Sequence, residues 1–405
     1  MNSNRNIVIF LLFLTLALSL GACSVLPSDP GQPQDSDPVF VLPPVVASTP
    51  TGIPNDTPAP AGETQPAPVD VPAASGELYF VLNDLHSGAL SLGRLPQDCL
   101  LSGSACAQVE IVPGFPNLDE SVRPLVWSPD GRLAALPYHD LLLIYDPQTG
   151  TWSNIAQLMV NDLPEWSPDS AWLAFISQSG DQKDVYLIRP DGSGLKNLTS
   201  GQFSGAEHHL AQVFWPGEGQ VAFWHFAPQQ AKQLVAMRVD NGEWTTLVTM
   251  AELTKDTLVY SPNRLEVALE SISSGDSQLV IASADGSNMR TIASYGQATL
   301  WPLVWSPDGQ WVAYSVYRST EADPFSRVYI APRDGSAEPL EIFKADNVSA
   351  LAWGPDSLHL VILGDAAGIT QLYLADIQQG TAVLLQAPGL DPQANIQGVS
   401  WRLVR

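Results

Sequence analysis

The sequence predicts an all-β fold, a seven-bladed β-propeller of four-stranded antiparallel blades, and three observations carry that prediction. A Trp-Ser-Pro-Asp-Gly motif recurs along the chain. The aromatic residues heading its copies are 39, 49, 45, 45, 48 and 48 residues apart, a period typical of propellers and related arrays. The two ends of the repeat region hold complementary fragments of one further unit.

The motif is most complete at Trp127-Ser128-Pro129-Asp130-Gly131, Trp166-Ser167-Pro168-Asp169-Ser170 and Trp305-Ser306-Pro307-Asp308-Gly309. Degenerate copies begin at Trp215, Tyr260 and Trp353, and a truncated one ends in Ser400-Trp401-Arg402. Each copy has the same grammar. A short apolar strand such as Leu303-Val304-Trp305 runs into the aromatic. The turn follows: Pro presets φ, Asp bonds nearby backbone, and Gly accepts a left-handed conformation. A second strand comes next, as in Trp172 to Ile176, and a third after a variable loop, as in Asp184 to Ile188. A tight turn carrying Asp191-Gly192, Asn241-Gly242, Asp285-Gly286 or Asp334-Gly335 leads to a short fourth strand. Four antiparallel strands make one blade.

Six blades are complete between about Ser121 and Gln386. The C-terminus then supplies a single strand, Gly398 to Leu403, and the N-terminus three, Glu77 to Leu82, Ala89 to Leu95 and Gln108 to Val112. Pairing the N- and C-terminal strands in one shared blade closes the ring and leaves no bare strand edge.

Three domains follow. Residues 1–23 are a lipoprotein signal peptide: Arg5 is a positive n-region, and Ile7 to Leu20 is an uncharged run of fourteen, too short to span a membrane comfortably. It ends in Leu20-Gly21-Ala22-Cys23, which resembles the bacterial lipoprotein box and implies lipid attachment at Cys23. Residues 24–75 hold six acids and no Lys or Arg amid Pro, Ala and Thr, and read as a disordered linker. Its fully extended span would be roughly 160 Å. Residues 76–405 are the propeller. Cys99 and Cys106, a pair closing a short loop in an oxidising compartment, read as a disulfide stapling the shared blade.

The apolar strands and Trp-Ser-Pro-Asp-Gly repeats resemble the TolB-type, WD-repeat-like β-propeller family over about 330 residues. The resemblance implies a rigid, ring-shaped platform in the cell envelope, with no ligand common to the family. TolB itself carries an α/β domain where this chain has its linker. Peptidases of the prolyl oligopeptidase and dipeptidyl peptidase types place similar blades ahead of an α/β-hydrolase domain. This chain is expected to have none, because it ends at Arg405 inside its last blade.

Composition bounds the partners. The net charge is −24 and the pI near 4.3, which repels phosphate backbones, so no nucleic acid is expected. The repeat Trp and Asp residues are expected to pack between blades and hold turns. Function is expected on the opposite face, where the second-to-third-strand loops and the inter-blade loops vary in length. Candidate ligand-binding residues there are His139, His208, His209, Tyr295, Trp301, Tyr317, Arg318 and Asp346, and the longest loop is read as Tyr317 to Arg327.

No cofactor, metal or catalytic residue is assigned. His208 and His209 are adjacent, and neighbours on a strand point to opposite faces. Gly275-Asp276-Ser277 reads as part of a polar loop, not a nucleophile elbow. Gly180-Asp181 to Asp184 lacks the ordered acidic array of a calcium loop. Pectate-degrading propeller lyases, which use loop His and a metal, keep a metal-dependent carbohydrate enzyme as the alternative, beside an accessory subunit of an envelope peptidase or transporter. The leading expectation is a monomeric, non-enzymatic module. It would be anchored outside the cytoplasm by its lipid and would bind a protein or an envelope glycan.

Overall fold

Strands form where apolar runs lie between the turn motifs, and they assemble into seven four-stranded antiparallel sheets. The computed structural model describes residues 75–84, 89–97, 100, 109–118, 123–203, 208–226, 232–250, 258–318, 325–366, 368–385, 390 and 395–404. The signal segment, the linker up to residue 74, and Cys23, Cys99 and Cys106 lie outside the described residues.

Blade 1 comprises β4 (Val126–Trp127), β5 (Ala134–Tyr138), β6 (Leu141–Asp146) and β7 (Thr151–Gln157). Blade 2 comprises β8 (Glu165–Trp166), β9 (Leu173–Ser179), β10 (Gln182–Ile188) and β11 (Lys196–Asn197). Blade 3 holds β12 (His209–Gly217), β13 (Gln220–Phe226), β14 (Lys232–Arg238) and β15 (Trp244–Met250). Blade 4 holds β16 (Leu258–Tyr260), β17 (Glu266–Ser273), β18 (Asp276–Ser283) and β19 (Arg290–Ser294). Blade 5 is β20 (Thr299–Trp305), β21 (Trp311–Tyr317), β22 (Ser326–Pro332) and β23 (Leu340–Ala345). Blade 6 is β24 (Asn347–Trp353), β25 (His359–Ala366), β26 (Ile369–Asp376) and β27 (Thr381–Leu384).

Blade 7 is the shared one. Its strands, from the inside out, are β28 (Asn395–Val404), β1 (Ser75–Asn83), β2 (Leu90–Pro96) and β3 (Glu110–Ile111). Strands β1 and β28 pair antiparallel from Ser75↔Val404 to Asn83↔Asn395. The expected closure is therefore the observed one.

The core is a ring of seven apolar clusters, one at each blade–blade boundary. Tyr79 and Val81 of blade 7 meet Leu136 and Tyr145 of blade 1, and Val361 and Leu363 of blade 6 meet Leu78 and Phe80 of blade 7. The other five boundaries are filled in the same way. Each face of a blade therefore buries apolar side chains, which explains second strands such as Leu173-Ala174-Phe175-Ile176 that are buried without alternation.

The repeat aromatics join the blades through polar contacts as well. Trp166 donates its indole N–H to the Val126 carbonyl at 2.8 Å, and Trp215 to Glu165 at 3.0 Å. Trp305 donates to Val259 at 3.0 Å, Trp353 to Val304 at 3.3 Å, and Trp401 to Ala352 at 3.2 Å. Each acceptor is the residue just before the aromatic of the preceding blade. In blade 4 Tyr260 takes this place, and its buried hydroxyl has no hydrogen-bond partner among the described residues. Burial pushes that phenol up to about 12.

The motif Asp residues hold turns, as expected. Ser128 Oγ donates to Asp130 Oδ1 at 2.6 Å, and the Arg132 N–H donates to the same oxygen at 3.0 Å. Burial works to raise the Asp130 carboxyl, but these hydrogen bonds outweigh it and hold the carboxyl below its usual range.

Two readings need correction. Tyr317 ends β21 and pairs with Ser326, and Arg327 lies inside β22, so the expected long loop is shortened at both ends by strand pairing. Asp276 and Ser277 belong to β18, where Ser277 is buried, because the hairpin turn is only Ser274-Gly275. Asp184 lies in the third strand, as expected, and is buried within β10. Its carboxylate already accepts hydrogen bonds from Gln182, Asn197, Thr199 and the Gly201 N–H.

Candidate functional site

Strand order places the first and third turns of each blade on one face, and the second-to-third-strand and inter-blade loops on the other. All eight candidate residues lie toward the second, variable face. His139 is in the β5–β6 hairpin, with φ +49°. His208 immediately precedes β12, which His209 begins. Tyr295 follows β19, and Asp346 lies between β23 and β24.

The structure brings some of them together. Arg318 Nε donates to the Tyr295 carbonyl at 3.1 Å, and its guanidinium lies 5.9 Å from the Tyr295 ring centroid. The Tyr295 hydroxyl pairs at 2.5 Å with that of fully buried Tyr314. Burial pushes the Tyr295 phenol up to about 12. His208 Nδ1 lies 2.7 Å from His225 Nε2, with the rings stacked. His225 is buried against Phe203, and burial first, then the His208 charge, lowers its pKa. His139 belongs to blade 1 and stands apart from this pair. Among the described residues no three His, Cys, Asp or Glu side chains group closely enough to hold one metal ion.

The mouth of the central channel is built by backbone irregularity. An inner strand in perfect register would point its side chains into its own blade faces. Here β20 shifts register between Leu300 and Leu303, β24 between Val348 and Ala350, and β28 opposite Phe80/Val81, where Gly398 has φ +60°. Bulges re-aim side chains, and Pro302 has no N–H to pair. Trp301, Ser349 and Gly398 therefore line one cavity of about 570 Å³, together with Leu163, Leu351 and Arg123. Trp301 is 54% exposed and Leu163 42%. An open apolar mouth on a strongly acidic molecule can take up apolar side chains.

Trp301 is the one candidate from the sequence that lines this mouth; Arg123 and Leu163 were missed. A signal for them exists. Arg123-Pro124, Leu163-Pro164 and Trp301-Pro302 each precede a repeat aromatic by two or three residues, and in all three the residue before proline faces the channel mouth. At the other end of the channel, Arg264 from the first turn of blade 4 reaches Glu165 Oε1 of blade 2 at 3.1 Å, past blade 3.

No protein-family model matches the chain. In sequence it is similar to the uncharacterized peptidase YuxL of Bacillus subtilis, 25% identical over 233 residues. It is also similar to the Tol-Pal system protein TolB of Syntrophus aciditrophicus, 46% identical over 39 residues. These matches take in 52% and 10% of this chain, and only 32% and 9% of the two relatives. Among solved structures it is similar to an oligogalacturonate lyase in complex with manganese, with TM-score 0.54, 15% identity, and 78% of this chain and 86% of that one covered. TolB from Acinetobacter baumannii gives TM-score 0.49 and 16% identity over 81% of this chain and 66% of that one. The class is thus the closed seven-bladed propeller. Within it the chain resembles TolB proteins, as its motif implies, and its neighbours include lyase and peptidase propellers as well.

Proposed function

We propose that this chain is a non-enzymatic binding propeller, held outside the cytoplasm by a lipid on Cys23, that recognises a protein partner at the channel mouth of its variable face. The observation that carries this reading is the apolar cavity in which Trp301 and Leu163 stand exposed. A half-exposed Trp at the centre of a rigid concave surface is the usual form of a protein-binding hot spot. The scatter of the histidines supports it too: His208 meets His225, but His139 is in another blade, whereas a metal-dependent lyase needs several ligands around one ion. An envelope glycan is the other ligand class the test distinguishes.

Full-length protein and its Trp301→Ala variant are used to capture envelope components, with proteins and glycans identified by mass spectrometry. A partner protein enriched by the wild type and lost from a normally folded variant supports the reading. Glycans alone, or identical recovery by both proteins, would overturn it. A Cys23→Ser variant that stays with the membrane fraction would remove the lipid anchor from the proposal.

A further inference from the structure

A second cavity, of about 730 Å³, opens beside the channel mouth between blades 1, 2 and 3. Arg123, His139, Asp140, Asp162 and Lys183 line it, above an apolar part that includes Met159.

Carboxylates outnumber cations, 42 to 18, and Arg94, Arg238, Arg264, Arg290, Arg333 and Arg402 sit in ion pairs. Among the described residues Arg123 and Lys183, like Arg189 over the Trp172 ring and Lys196 on the Val239 carbonyl, have no ion pair with a carboxylate. Of these, Arg123 and Lys183 face one cavity. Arg123 donates one N–H to the Asn161 carbonyl at 2.6 Å. That bond fixes the guanidinium while a five-donor group keeps further N–H groups for a ligand.

His139 opens the hairpin beneath with φ +49°, where the matching hairpin of blade 2 has Gly180 and that of blade 4 has Ser274, also at positive φ. An L-residue held there costs about 1 kcal/mol or more, and strain of this kind gathers at ligand-binding positions. Arg123 also lines the channel mouth, so the two cavities share a wall.

We propose that this second cavity is a carboxylate subsite for an extended peptide whose apolar side chain enters the channel mouth against Trp301. The acidic side chain or chain terminus of that peptide sits between Arg123 and Lys183. This rests on the reading of the face as protein-binding. A guanidinium fork matches a planar carboxylate with two parallel hydrogen bonds, and an ammonium adds a point charge. Asp140 and Asp162 disfavour a doubly charged anion such as phosphate, which would meet two like charges. The two cations and two acids of the lining cancel, so one carboxylate adds a single negative charge where phosphate would add two, and the acids can accept the peptide's own N–H groups. Asp162 already accepts the Gln212 N–H at 3.2 Å, at the bulge in β12. The overall negative charge is screened beyond about 8 Å at physiological salt, so pairing inside the cavity decides.

The test uses fluorescein-labelled octapeptides that place Asp a few positions from Leu or Phe, with twins carrying Asn instead, titrated against the full-length chain by fluorescence anisotropy. The Asp peptides should bind at least about tenfold tighter than their twins. Arg123→Gln and Lys183→Gln should each erode that difference while leaving the Asn twins unchanged. Arg123→Lys, which keeps the charge but loses the fork, should fall between, and matching thermal midpoints guard against unfolding. Equal binding of Asp and Asn twins overturns the subsite and leaves the peptide reading standing. Binding of uronic-acid oligomers with no peptide bound overturns both.

Discussion

Trp127 of blade 1 donates its indole N–H to Ser400 Oγ of β28 at 3.2 Å, tying the first complete blade to the strand that closes the ring. At every other Trp-headed boundary the acceptor is a backbone carbonyl; at this one it is a side chain. The contact can therefore be removed from either partner. Ser400→Ala and Trp127→Phe should each lower stability by about 1 kcal/mol, and the double variant should cost no more hydrogen bonding than either alone. A double-mutant cycle on urea unfolding measures the coupling, and strictly additive losses would contradict it.

Gly131 is held at φ +68° on the same boundary, where an added Cβ would collide with the Leu403 carbonyl. Blades 2 and 6 carry Ser170 and Ser357 at the matching turn position, also with positive φ. There the hydroxyls accept the N–H of Asp130 and Asp308 from the preceding blade. Blade 7 has no such turn, because β28 runs straight past. Gly131→Ala should therefore destabilise by more than about 1 kcal/mol, while Ser170→Ala should lose only its hydrogen bond. Thermal midpoints of the two variants check the ranking.

His359 Nδ1 lies 2.8 Å from Asp356 Oδ2, which also accepts from Gln97 of blade 7 at 3.0 Å. The bond to Asp356 raises the imidazole pKa against the effect of burial. Burial works to raise the Asp356 carboxyl, but hydrogen bonds from His359 and from the Leu358 and His359 N–H groups outweigh it and lower the pKa. The His contribution is complete below its unfolded value, about 6.5, and fades as pH rises through the folded one. The Asp contribution is present above its unfolded value, about 3.9, and fades as pH falls through the folded one. His359→Gln should thus cost most between about pH 4 and 6.5 and less at pH 8. Unfolding midpoints across that range would show a flat difference if the pair were not charged.

His225 has the opposite sign. Its lowered pKa means the fold resists the proton, so stability should be level at alkaline pH and fall once pH drops below about 6.5. His225→Gln should flatten that decline. A wild-type thermal midpoint that does not move between pH 8 and 5 would contradict the assignment.

Much of this was legible in the residues. Motif spacing and turn chemistry located the blades, and the orphan strands around residues 77 and 401 located the closure, because a strand edge and its hydrogen-bonding groups need a partner. The indole-to-carbonyl bonds could be anticipated only as packing. Among site residues, Trp301 was found because a large aromatic outside the motif stands out. Lys183 was missed because a single cation in a strand carries no local mark, and Arg123 and Leu163 because their one mark, a proline following each just ahead of a repeat aromatic, shows only when the blades are compared.

The sequence by itself determined the number of blades, the face on which its turns are stereotyped and the way the ring shuts, since each depends on local propensity and on pairing every strand. Only the tertiary structure decided which side chains share a cavity. Bulges in β12, β20, β24 and β28 turn residues from distant blades toward the channel. Arg123, ahead of blade 1, and Lys183, within blade 2, come to face one space. Side chains distant in sequence converge through the curvature of the whole ring, and no short stretch of chain encodes that curvature.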